Sequence, residues 1–237
     1  MSERAQRSQK HTPKEWGSLS AIVWWIVSFY APQFALIPFV VFFQTLPIEH
    51  NAMIFLLQAI AQLITLGVLW LVIHKLYHAS LVTIGLNKFN PGLLGWSVVA
   101  FPIYMILSIV VSSVSSAVFG IDLSERQEIG YADPNGYELA MIFVALVVLA
   151  PFVEEVLFRG FLFTAFRKTF GFWVGAIGVS LIFAVAHGQA NVGVDVFVLS
   201  LFLCYLREKT GTLWTAIALH SLKNLVAFIV LFIMNVS

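Results

Sequence analysis

Charge is what this chain has least of. Thirteen lysines and arginines with twelve aspartates and glutamates make up 11% of 237 residues, while 60% are hydrophobic. Soluble domains carry roughly 25% charged residues. A water-facing globule could not cover its surface with so few, so a soluble enzyme and a disordered chain are excluded. A net charge of +1 supplies no basic face, which sets nucleic acid aside as a partner. Cysteine occurs once, as Cys204 in an apolar run, so no intramolecular disulfide forms and buried packing is expected. Internal repeats, Ser/Pro-rich linkers and a Gly-rich phosphate loop are also missing, which leaves one membrane domain without a sizeable soluble part.

What is present is a series of apolar runs. At about 20 residues per crossing, they give seven candidate spans near 18–46, 52–74, 92–119, 138–166, 171–187, 193–206 and 212–235. The expected fold is an all-α polytopic membrane protein of about seven helices. The first run follows a polar tail, 1–17, and is too long for a signal-peptide core, so it reads as a retained signal anchor. Pro32 and Pro38 within it should kink or split it. The fifth and sixth runs reach only about 20 to 25 Å at 1.5 Å per residue. A hydrocarbon core is about 30 Å thick, which predicts that the polar turn from His187 to Asn191 lies inside the membrane profile.

Basic residues set the orientation. Arg4, Arg7, Lys10 and Lys14, then Lys75 and Lys88, Arg167 and Lys168, and Arg207 and Lys209 all fall on one side of a seven-span arrangement. Arg126 alone falls opposite, among Asp122, Glu125, Glu128, Asp133 and Glu138. The N-terminus is therefore expected in the cytoplasm and the C-terminus outside.

An ionisable residue inside a span costs at least about 2.5 to 3.5 kcal/mol on insertion scales, so each needs a partner or a task. Seven polar side chains stand out, all in the second half: Glu154, Glu155, Arg159, His187, His220, Lys223 and Asn224. Glu155 and Arg159 are four apart and share a helix face, which lets them pair. Glu154 lies about 100° away around the same helix and points elsewhere, as a base would. His220 and Asn224 share another face and offer donors to an oxyanion, or ligands to a metal. Gln33, Gln44, Gln58 and Gln62 read as interhelical hydrogen-bonding residues, and Ser112, Ser113, Ser115 and Ser116 as a small-residue packing face. Glu154 falls midway along its span and His187 nearer the outer end of the next, so any joint chemistry requires the fold to bring them to one depth.

The set Glu154-Glu155-x-x-x-Arg159, Phe183-x-x-x-His187 and His220-x-x-x-Asn224, in that order on late spans, resembles the CPBP family of intramembrane proteases, which includes the type II CAAX prenyl endopeptidases and Abi-type proteins. The resemblance covers about 138–237 as a catalytic core, with 18–137 as additional N-terminal helices. It implies peptide-bond hydrolysis in a membrane-associated, prenylated or bacteriocin-type substrate. Under it, Glu154 activates water, His187 orients that water, His220 and Asn224 hold the oxyanion, and Glu155 and Arg159 support them. Lys223 departs from the pattern. Zinc at Glu154, His187 and His220 is the alternative, since His2Glu sites are known zinc sites. The HExxH helix is absent and a glutamate-activated water needs no ion, so the glutamate mechanism without a cofactor is preferred. A non-enzymatic scaffold or bacteriocin-immunity partner and a proton-coupled transporter are the competing readings. Buried Glu and His also build proton relays, although the inverted repeats of many transporters are missing.

Overall fold

The computed structural model describes residues 14–234, so Arg4, Arg7 and Lys10 of the basic tail lie outside the described residues. Six helical runs among these are long and apolar enough to cross a membrane, which makes this a multi-pass integral membrane protein. We label α1 Ser18–Phe43, α2 His50–Leu71 with a π-helical turn to Leu76, and α3 Gly95–Phe119. The fourth run, Gly136–Ala186, is 51 residues long. At 1.5 Å per residue it would measure about 75 Å, far more than a bilayer.

It does not run straight. Gly171 has φ 78° and ψ 178°, a region open essentially to glycine alone, and there the chain reverses. The Phe158 and Phe183 rings stand 4.8 Å apart, where a continuous helix would separate them by about 37 Å. A Cβ on Gly175 would lie 2.9 Å from the Arg167 backbone nitrogen, so only glycine lets the arms approach this closely. We therefore label α4 136–170 and α5 172–186, the fourth and fifth expected spans. Ala190–Thr210 is α6, and Trp214–Phe228, continued by a π-helical turn to Ile233, is α7. α4 begins at a capping box, with Asn135 accepting from the Glu138 N–H and Glu138 accepting from the Asn135 N–H. α1 remains one helix through Pro32 and Pro38 rather than splitting. Pro32 leaves the Ser28 carbonyl without its helical donor, and the Thr65 hydroxyl of α2 donates to it instead at 2.9 Å.

Hairpin arithmetic locates the site. Phe158 meets Phe183, and Gly175 meets Phe166 and Arg167, so facing residues carry numbers that sum to about 341. By that register His187 stands level with Glu154, five turns along α4 from Gly136. The 187–191 turn thus stands level with the middle of α4 rather than with its end. The segment between α3 and α4 descends to meet it. The Glu128 N–H donates to Gln189 Oε1 at 2.9 Å, and Asn191 donates to the Glu125 carbonyl at 2.6 Å.

The remaining loops sort onto two ends. At one, the Lys14 N–H donates to the Tyr77 carbonyl, Asn87 to the Gly211 carbonyl, and Arg167 pairs with Glu208, as does Lys168 with Glu15. At the other, Asn51 exchanges hydrogen bonds with Ala132, and Tyr137 donates to Glu49. Half of the most apolar windows of 136–186 and α6 is buried, against 17% for α1 and α3. The centre is therefore the middle of α4 with α6, α5 adding one buried face through Val179 and Phe183 while Trp173, Val174 and Val185 turn outward, and α1 and α3 lie outermost. Phe158, Phe161, Leu162, Val179 and Phe183 pack there with Cys204, which is buried as expected. In lipid this packing stabilises through close contact and internal hydrogen bonds rather than through expulsion of water.

Candidate active site

Glu155 is the pivot of the site. Its carboxylate is fully buried, and Oε1 accepts from Arg159 Nη1 at 2.8 Å and from His220 Nδ1 at 2.9 Å. The predicted Glu155–Arg159 pair is present. The guanidinium, also fully buried, lies 4.3 Å from the centre of the Phe183 ring, whose π face adds a second anchor for its charge. A carboxylate accepts only, so His220 carries a proton on Nδ1, and Nε2 faces outward.

That Nε2 lies 3.8 Å from Glu154 Oε2. Glu154 points away from Glu155, as the 100° offset predicts, and its side chain is 28% exposed, against zero for Glu155. One carboxylate is locked and its neighbour is free. His187 caps α5, and its Nδ1 donates to the Phe183 carbonyl at 2.8 Å, which leaves Nε2 with a lone pair. Phe183 also sets its ring 4.7 Å from that of His187 and 5.9 Å from that of His220, so one aromatic side chain aligns both histidines. Asn224 donates to the Leu146 carbonyl at 2.8 Å. Leu146 sits in the π-helical turn Val144–Leu149, where the widened ladder offers the carbonyl to a neighbour.

Glu154, His187, His220 and Asn224 line one cavity of about 190 Å³, together with Lys223, Gln58 and Gln62. The depth mismatch is resolved by the α4–α5 hairpin. Gln127 and Ile129 of the descending segment close the cavity towards the second end. Tyr131 secures that segment by donating to Gln58 Oε1 at 2.7 Å, and burial pushes its phenol up to about 12, so it remains a donor at neutral pH. Glu154 also borders a second cavity, about 410 Å³, between α1, α2 and α4, with Phe29, Leu36, Leu57 and Leu157 in its wall. Among the described residues no three His, Cys, Asp or Glu side chains are gathered closely enough to hold a metal ion.

Asp195 was absent from the sequence reading. It stands on α6, where Oδ1 accepts from Tyr104 at 2.6 Å and from Ser108 at 2.5 Å, while Oδ2 lies 3.4 Å from Lys223 Nζ. The signal that could have found it is the one applied to the other residues, a carboxylate within an apolar run. Gln58 and Gln62 reach the cavity, and Ser112 and Ser113 line a groove beside α7.

Fold and site together define a polytopic helical membrane protein with a carboxylate–histidine centre recessed between helices. Residues 136–226 match the family described as type II CAAX prenyl endopeptidase Rce1-like, and every motif residue lies inside that segment. The resemblance drawn from the three motifs is borne out. Over 232 residues the chain is 26% identical to the membrane-embedded CAAX protease MroQ of Staphylococcus aureus (strain USA300), covering 92% of this chain and 89% of that protein. It is 30% identical over 95 residues to an uncharacterized 24.3 kDa protein of Escherichia coli, covering 38% of this chain and only 44% of that protein's length. No solved structure matches.

Proposed function

We propose that the protein is an intramembrane endopeptidase in which Glu154 activates water to hydrolyse a peptide bond of a membrane-associated substrate. The observation that carries this is the convergence of Glu154, His187, His220 and Asn224 on one cavity deep between apolar helices, in a segment similar to the Rce1-like peptidases. A cavity of that size holds several waters. Glu154 takes a proton from one of them while the water oxygen bonds to the carbonyl carbon, and the His187 Nε2 lone pair accepts the other hydrogen and aims the attack.

The carbonyl becomes an oxyanion. Protonated His220 Nε2 and the amide N–H of Asn224 not bonded to Leu146 donate to it, in a site whose low dielectric strengthens both bonds. Buried Glu155 compensates the positive charge on His220. Glu154 then returns its proton to the amine nitrogen as the C–N bond breaks. The apolar wall shared with α1 and α2 suits a lipid-modified or hydrophobic substrate segment.

The test compares membrane proteomes of cells carrying the wild type and Glu154→Ala. An uncut precursor should accumulate in the variant, and purified wild type in vesicles should cleave a quenched peptide spanning the mapped cut site with or without chelator. Cleavage by Glu154→Ala at the wild-type rate would falsify the assignment. A scaffold or immunity role predicts instead that Glu154→Gln functions normally in cells.

A further inference from the structure

Lys223 is the one residue of the cluster with no assigned role. It lies on the α7 ridge formed by Lys223, Ala227 and Leu231, four apart, which borders the Glu154 cavity on one side and a groove of about 480 Å³ between α3, α6 and α7 on the other. A lysine and an aspartate inside a membrane bundle are expensive, and apolar residues would pack the helices at least as well. The pair is nonetheless built with care. Tyr104 and Ser108, 1% and 6% exposed, both donate to Asp195 Oδ1, fixing the carboxylate from α3 and taking up part of its charge. Oδ2 meets the ammonium at 3.4 Å, longer than the roughly 2.7 to 2.9 Å of a strong charged hydrogen bond. The ammonium is oriented without being saturated, and Lys223 lines the Glu154 cavity as well as the groove that holds Asp195.

We propose that Lys223, aimed by Asp195 as a positioning residue, is the cation that stabilises the negative charge developed during cleavage. This rests on the peptidase reading above. The groups around the Glu154 cavity are then one carboxylate, two histidines and one ammonium, with Glu155 behind them shared between Arg159 and His220. Lys223, drawn only loosely to Asp195, adds a second cation beside His220 for the moment at which a second anion appears beside Glu154. Fixed charge aimed at a developing anion accelerates the chemical step and leaves substrate binding little changed.

The experiment uses the full protein in vesicles and the quenched peptide that wild type cleaves and Glu154→Ala does not. Lys223→Met should lower kcat about 10- to 100-fold while KM stays within about twofold. Lys223→Arg, which keeps the charge, should restore most of kcat. The double variant Lys223→Met with Asp195→Asn removes both charges and keeps an acceptor for Tyr104 and Ser108; it should remain folded, with a melting temperature near wild type, and be as slow as Lys223→Met. Recovery of wild-type kcat in the double variant marks a purely structural ion pair and overturns the proposal, as does an unchanged kcat in Lys223→Met. A wild type that cleaves nothing overturns the peptidase reading, and this inference with it. An active wild type, an inactive Glu154→Ala and a fully active Lys223→Met overturn this inference alone.

Discussion

At the scale of single residues, two adjacent glutamates have opposite fates because a helix turns 100° between them. Glu155 is enclosed, holding Arg159 and His220 at 2.8 and 2.9 Å, whereas Glu154 faces a cavity. Removing Glu155 leaves a fully buried guanidinium without its carboxylate. Glu155→Ala should therefore destabilise by about 3 to 5 kcal/mol, read as a lower melting temperature in detergent and reduced abundance. Glu154→Ala, at a partly exposed site, should change the melting temperature little while abolishing cleavage. Equal destabilisation by the two variants would contradict these separate roles. The Glu155–Arg159 pair and the divergence of Glu154 were legible because i, i+4 geometry is local. Asp195 was not picked out, since its partners Tyr104, Ser108 and Lys223 come from α3 and α7, and only tertiary packing assembles them.

At the scale of elements, the decisive device is the α4–α5 hairpin. Spans four and five were legible as separate apolar runs, and their boundaries agree with the arms on either side of Gly171. Their mutual register was not, because it depends on how close two backbones approach, and periodicity carries no information about that. Gly175 fixes the approach, with Gly178 against the Phe166 ring, where an added Cβ would lie 3.2 Å from the ring edge. Gly175→Ala sets a methyl against backbone that has no rotamer with which to yield. It should cost about 1 to 3 kcal/mol and lower activity by displacing His187 from Glu154. Gly67→Ala in α2 is the control, since nothing lies within 4 Å of the added Cβ. There the helix should gain about 0.5 to 1 kcal/mol. Thermal unfolding of both variants beside wild type checks the contrast; a stable, fully active Gly175→Ala would mean that the hairpin spacing does not position the site.

At the scale of the whole molecule, the two ends differ in chemistry as well as in position. The basic end draws together Lys14, Lys168, Arg167 and Arg207, the last with its guanidinium 2.5 to 2.8 Å from where a Gly85 Cβ would stand. The opposite end holds the segment between α3 and α4, which descends over the cavity through Gln127 and Ile129. The alternation of loops was legible from lysine and arginine alone because insertion acts on those charges. The descent of this segment was not, since its hydrogen bonds to Gln189 and Asn191 join positions more than 60 residues apart. Both features meet in one experiment, done with single cysteines in a Cys204→Ala background. Lys88→Cys and Lys209→Cys share the basic end and should react with an impermeant maleimide only after cells are opened. Ser124→Cys and Glu128→Cys, exposed at the opposite end, should react in intact cells. A pair whose members label from opposite sides breaks the arrangement of helices itself. If both pairs are inverted together, the arrangement stands and the positive-inside orientation fails, and the Glu154 cavity is then approached from the cytoplasm beneath the segment that carries Gln127.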